Sequence, residues 1–235
     1  MSAPQSREAG LPEAEFADRV AKLASAPEEI FWRESFQRSA SAKNRSLPDL
    51  RALGGRAEEC GQVCARQFMP LKKPVDALCR ENGLEIREFS MLESPSMEIF
   101  ALFEPPSTIF IRAGLLAECD AYIQKSGLYR VLGRFCCQDV VLAHEFFHSL
   151  EARNSRQMFT CTYREPSGLF RRKTPLPPLS EIAAMGFARE MLGLHWSPFL
   201  LDSIMLSIHD MRSALAIVER LEGFAAECPP DPPGT

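Results

Sequence analysis

The sequence predicts an α+β fold, a small sheet set between two helical blocks. Three observations carry this. Residues 12 to about 70 and most segments after Arg112 read as helix, whereas Leu84 to Arg112 reads as strands. The turn "EPPS" lies between "MEIFALF" and "TIFIR", as a tight turn lies between paired strands. Apolar content of 46% against 25% charged residues, over 235 residues, suits a soluble protein with a full core.

The elements follow in order. Residues 1–11 and the tail "CPPDPPGT" (228–235) are expected to be frayed, the latter polyproline-like. Residues 12–70 are helical around the polar interruption "RSASAKNRS". "SLPDLRALGGRAEECGQVCARQF" predicts one helix, with Ser46 as cap and Gly54-Gly55 as a weak point. "PVDALCRENG" is a short helix closed by Gly83, and "LEIREF" a strand. A hairpin is expected from Met97 to Arg112, in a mainly antiparallel sheet. Residues 113–152 are helical in two or three pieces, and 153–178 irregular. "SEIAAMGFAREMLGL" is a helix with Ser180 as cap. Residues 197–227 predict one long helix, capped by Ser197 with Pro198 at its first position. The division expected is a helical N-terminal extension (1–69), a main domain that includes the long last helix (70–227), and a disordered tail (228–235).

Bulk properties exclude some functions. A net charge of -4 gives no reason to expect nucleic acid or an anionic membrane as partner. No apolar run approaches the roughly 20 residues that cross a bilayer. The start "MSAPQSREAGLPEAEF" has no apolar signal core, so a cytoplasmic location is expected. The eight cysteines form no CxxC pair and are expected as reduced thiols. Cys60 and Cys64 share a helical face, but two ligands do not close a zinc site.

"VLAHEFFHSLE" (141–151) carries the chemistry. Four-residue spacing puts His144 and His148 one turn apart on one face, where both rings reach a single ion. Glu145 lies about 100° round the helix, placed to act on water rather than to ligate. Val140, Ala143, Phe147 and Leu150 form a separate apolar stripe that can be buried. The competing reading is a core helix that carries two histidines by chance. Two imidazoles without partners among Phe146 and Phe147 are costly there, which favours zinc.

A catalytic zinc takes three protein ligands and keeps one position open. His195 and His209 read as helix-end or surface residues. Glu151, one turn beyond His148, is poorly placed to ligate; it either orients an imidazole or is solvated, the latter being favoured. Glu181 begins a separate helix 33 residues after His148 and is the chosen third ligand. Ala183, Ala184 and Gly186 are small enough to let that helix approach the histidine helix.

"AHEFFHSLE" followed by "SEIAAMGFAREML" resembles the ImmA/IrrE-type metallopeptidases, zincins with a glutamate third ligand. Ala184, Phe187 and Ala188 match that family's segment after the glutamate. The likeness covers roughly residues 70–195 and is specific only at the two motif helices. Thermolysin-like enzymes carry an aspartate four residues after this glutamate, where Met185 stands here. The resemblance implies a minimal zincin-like fold and a cytoplasmic zinc endopeptidase, often one that cleaves a regulator.

The residues support the same chemistry: zinc on His144, His148 and Glu181, with Glu145 as general base and a protein or peptide as substrate. The hairpin could take an extended substrate by strand addition, on an edge the sequence does not identify. Tyr163, Arg164 and His195 are the candidates for transition-state stabiliser. Cys161 is read either as a cap on the metal or, preferably, as an ordinary thiol. The basic residues between Arg153 and Lys173 are read as solvated loop charge before an acidic-partner site. The alternative function is a non-catalytic protein of zincin fold, using the zinc site to stabilise an interaction surface.

Overall fold

The computed structural model describes residues 11–39, 45–89, 99–167 and 172–228. Three helices lead the chain: α1 (Leu11–Leu23), α2 (Glu28–Arg38) and α3 (Leu47–Arg66). Ser46 caps α3, its hydroxyl accepting from Asp49 N at 3.3 Å. The Gly54-Gly55 pair leaves α3 unbroken. The Trp32 ring occupies the space a side chain at Gly54 would need, 2.6 Å from its Cβ position. A 3-10 turn, Met69–Leu71, leads to α4 (Val75–Glu81), which closes on Gly83 at φ 75°.

The sheet consists of β1 (Glu85–Glu88), β2 (Ala101–Glu104) and β3 (Thr108–Ile111), in the order β1-β3-β2. β2 and β3 form the expected hairpin, pairing Phe103 with Ile109 and Ala101 with Ile111. Met97 and the segment up to residue 98 lie outside the described residues. The sheet is mixed rather than mainly antiparallel, because β1 runs parallel to β3, Ile86 against Ile109. β3 takes the centre because it buries Ile109 and Ile111, whereas β1 and β2 stay largely exposed.

Helices α5 (Ala113–Ser126), α6 (Tyr129–Leu132) and α7 (Cys137–Arg153) follow, then α8 (Phe159–Thr162). The stretch expected to be irregular thus holds one helical turn. It also holds an antiparallel ribbon of β4 (Glu165–Ser167) and β5 (Arg172–Thr174), strands too short to show a period. Helix α9 spans Pro177–Leu192, starting before Ser180, because Pro177 and Pro178 occupy the first positions, where no N–H is needed. The expected long last helix is two: α10 (Phe199–Ser207) and α11 (Met211–Glu227), packed on each other. Asp210 causes the break, accepting from Ser213 N at 3.0 Å as the cap of α11. Ser197 caps nothing; its hydroxyl donates to Glu28 at 2.7 Å. Of the tail only Cys228 lies among the described residues.

The stripe Val140, Ala143, Phe147 and Leu150 is buried, and Phe146 with it. Phe187 of α9 meets the rings of Phe146 and Phe147 at 5.9 and 5.8 Å, locking α9 to α7. Helices before residue 70 contribute Phe16, Val20 and Phe31 to this same core. The closest helix approach is elsewhere than expected, between α9 and α3. A Cβ on Gly61 would lie 1.9 Å from the Ala183 carbonyl oxygen, and one on Gly186 would lie 2.9 Å from Glu58. The small residues of α9 therefore serve α3 as well as the histidine helix. Arg189 ties α9 to both α2 and α3, reaching Glu28 of α2 at 3.1 Å and Glu58 of α3 at 3.2 Å.

Three stability tests follow. Gly61→Ala is expected to cost about 3 kcal/mol or more in denaturant unfolding, because the backbones must separate. Gly55→Ala, with only a Trp32 atom at 3.8 Å, is expected to be neutral or to gain up to about 1 kcal/mol. Burial pushes the Glu28 carboxyl up to about 7, against the pull of Arg189 and Ser197. A carboxyl raised on folding favours the folded state when protonated, so this contribution is lost as the pH climbs towards and through about 7. Unfolding curves of Glu28→Gln between pH 5 and 8 should fall less with rising pH than those of the parent.

Candidate metal centre

Helix α7 presents His144 and His148 to a cleft, and α9 brings Glu181 across from the other side. The three residues form the one such cluster of possible metal ligands among the described residues. The Nε2 atoms of the two histidines are 3.0 Å apart. Glu181 Oε2 lies 3.3 Å from His144 Nε2, and its Oε1 lies 3.7 Å from His148 Nε2. One ligand atom from each of the three residues lies within 4.8 Å of the other two, close enough for all three to reach one ion. Two imidazole nitrogens and one carboxylate oxygen are a donor set that suits zinc.

The electrostatics agree with a cation site. Burial by itself would lower His144, but the Glu181 carboxylate facing it prevails and raises it to about 9. Glu181 is held down at about 2, burial being outweighed by its bond to His144. Protons and a metal compete for the same atoms here, since a ligating imidazole is neutral on its binding nitrogen.

Glu151 is not a solvated surface residue. Its carboxylate accepts from Ser180 Oγ at 2.5 Å and from Thr160 Oγ1, and lies 3.5 Å from His148 Nδ1. These bonds hold it below the usual carboxylate range although burial pushes it up. Ser180 Oγ is itself 3.2 Å from His148 Nδ1. Ser180 and Glu151 thus orient the His148 ring from behind, as partners of ligating histidines do. His144 differs: its buried Nδ1 has no hydrogen-bond partner among the described residues. Asp202 of α10 acts on it only through its field.

Glu145 is buried, with 7% of its surface exposed, and its Oε2 accepts from the backbone N–H of Phe103 at 2.7 Å. That bond identifies the edge strand. Arg112 N donates to the Phe100 carbonyl, so Phe100 and Leu102 pair with β3 while Ala101 and Phe103 turn their backbone groups outward. The outer edge of β2 therefore runs beside the motif. The cleft, of about 980 Å³, is lined by this strand, by His144, Glu145, His148 and Glu181, and also by Arg38, Asp202 and Arg220.

Tyr163, Arg164 and His195 are not among the residues that line this cleft. Tyr163 packs on Phe159 and accepts from Arg45 at 3.3 Å. Arg164 is bonded to the Tyr163 carbonyl. His195, an exposed residue of the α9–α10 connection, bonds the Val131 carbonyl at 2.7 Å. Local geometry at α8 and after α9 directs all three elsewhere. Cys161 is half-buried beside Glu151, and burial raises its thiol. The sequence reading missed Phe103 N–H, Asp202, Arg38 and Arg220. They lie on four elements, β2, α10, α2 and α11, all outside the two motif helices, and no local pattern marks them.

Purified protein is expected to hold about one zinc per chain by elemental analysis. Glu181→Ala should lose most of it. Glu151→Gln should weaken zinc by about 10–100-fold in chelator competition; unchanged affinity would return Glu151 to the role of a surface residue. The chain was compared with family models, with curated proteins and with solved structures, and none matches.

Proposed function

We propose that this protein is a zinc-dependent endopeptidase of the zincin type, akin to the ImmA/IrrE metallopeptidases, acting on an intracellular protein or peptide. The observation that carries this reading is the convergence of His144, His148 and Glu181 beside Glu145, at the outer edge of β2. No helix among the described residues is long and apolar enough to cross a membrane, which fits a cytoplasmic location.

His144, His148 and Glu181 would hold the zinc, which when bound supplies a Lewis acid for the scissile carbonyl and an acidified water. The remaining work falls to the chain itself. Phe103 N–H holds Glu145 through Oε2, which fixes the carboxylate plane and leaves Oε1 to take a proton from the attacking water. The same carboxyl returns that proton to the departing amine nitrogen. The outward N–H and C=O of Ala101 offer the next pairing position to an extended peptide, so the substrate adds as a strand to β2. Leu102 and Phe103 shape the wall beside it. Ser180 and Glu151 keep the His148 ring in one tautomer and orientation.

Glu145→Gln is the direct test. The variant should keep about one zinc per chain and lose about 10²- to 10⁴-fold in kcat/KM on peptides that the parent cleaves. Undiminished cleavage by the variant would remove Glu145 from the mechanism. A parent that binds zinc and peptide but cuts nothing would point to a zinc-stabilised interaction module instead.

A further inference from the structure

Beyond Glu181 the cleft continues into an annex of about 380 Å³ between α2, α10 and α11. Phe31, Phe199 and Leu221 give it apolar walls, and the carboxylates of Glu34, Glu181 and Asp202 line it as well. Arg38 and Arg220 stand where the two spaces meet or open: both line the main cleft, and Arg38 lines the annex too. Both converge on one buried carboxylate, Glu34. Arg220 grips it with Nε and Nη2 at 3.1 and 2.8 Å, and Arg38 adds Nε at 3.2 Å. A guanidinium has five N–H donors, so one bond from Arg38 and two nitrogens from Arg220 leave most of them for other acceptors. Their side chains remain 52% and 45% exposed.

We propose that Arg38 and Arg220 form a carboxylate-binding subsite of the cleft, which takes an acidic side chain or the terminal carboxylate of a substrate peptide; this rests on the peptidase reading. Glu34 fixes the two guanidiniums side by side, so their orientation is set before a ligand arrives. Planar guanidinium forks match a carboxylate in two-pronged geometry, and lysine would not. Glu34 and Asp202 balance the two positive charges, so the selectivity comes from N–H geometry rather than from surplus charge. It is accordingly expected to be about ten-fold, the scale of one charge-assisted bond. The apolar annex would receive the neighbouring side chain. β2, the metal cluster and this subsite line one cleft, so one extended peptide is expected to engage all three.

The test uses the zinc-loaded full chain and fluorogenic peptides in two matched pairs: glutamate against glutamine at each position, and free acid against C-terminal amide. Cleavage gives kcat/KM, and fluorescence anisotropy with Glu145→Gln protein gives binding without turnover. Support is a preference of about ten-fold for the glutamate or free-acid form that falls to near one in Arg38→Gln and Arg220→Gln. Which pair shows it separates a side chain from a chain end. Zinc content and unfolding midpoint report whether the variants fold; if Arg220→Gln fails, the more exposed Arg38→Gln decides. Cleavage with no acidic preference, or a preference that survives both variants, overturns the subsite and leaves the peptidase standing. Carboxylate-dependent binding without cleavage supports the subsite and overturns the peptidase. Neither binding nor cleavage overturns both.

Discussion

The position of α9 between α7 and α3 is the constraint on which the site depends. Glu181 reaches two imidazoles on another helix only if the two axes are held at a set distance and rotation. On one side Phe187 wedges against Phe146 and Phe147, a contact of rings that leaves room for side chains to meet above it. On the other, Gly61 and Gly186 let the α3 and α9 backbones touch, with no side chain to yield between them. Arg189 then bonds Glu28 and Glu58, so α2 and α3 share in fixing α9. The early helices are thus part of the scaffold that aims the third ligand.

The site built on this frame is asymmetric. His148 is braced through Nδ1 by Ser180 and Glu151, and Glu151 is in turn bonded to Thr160 of α8. His144 has no such brace and is constrained by burial, by Glu181 and by its neighbour's ring at 4.7 Å. Glu145 is held from the sheet, by a backbone N–H of the edge strand. Helix, second helix and sheet therefore each fix one chemical component. Such division gives a geometry that no single loop could hold against thermal motion.

Much of the fold was legible because its signals are local. The hairpin follows from two apolar runs and a proline turn, the cap of α3 from Ser46, and the buried stripe of α7 from three- and four-residue steps. Misreadings arose where a local signal competed with a stronger neighbour. Pro177 and Pro178 took the start of α9 from Ser180, which freed its hydroxyl for His148. Asp210 broke the last helix because capping α11 satisfies Ser213 N, and the chain then folds α11 back on α10. The parallel pairing of β1 has no local signature at all, since it depends on which strand buries both of its isoleucines.

His144, Glu145, His148 and Glu181 were readable from the chain because helical spacing alone puts the first three on their faces, and Glu181 opens a separate helix whose small residues allow a close approach. The sequence by itself determined the donor types, two imidazoles and a carboxylate able to hold a metal ion. Tertiary structure decided the rest: that Glu151 braces rather than faces water, that β2 is the edge strand beside the motif, and that Arg38 and Arg220 share Glu34 where they line the cleft. These depend on contacts between residues as much as 186 positions apart. No period or motif spans that distance; only packing does.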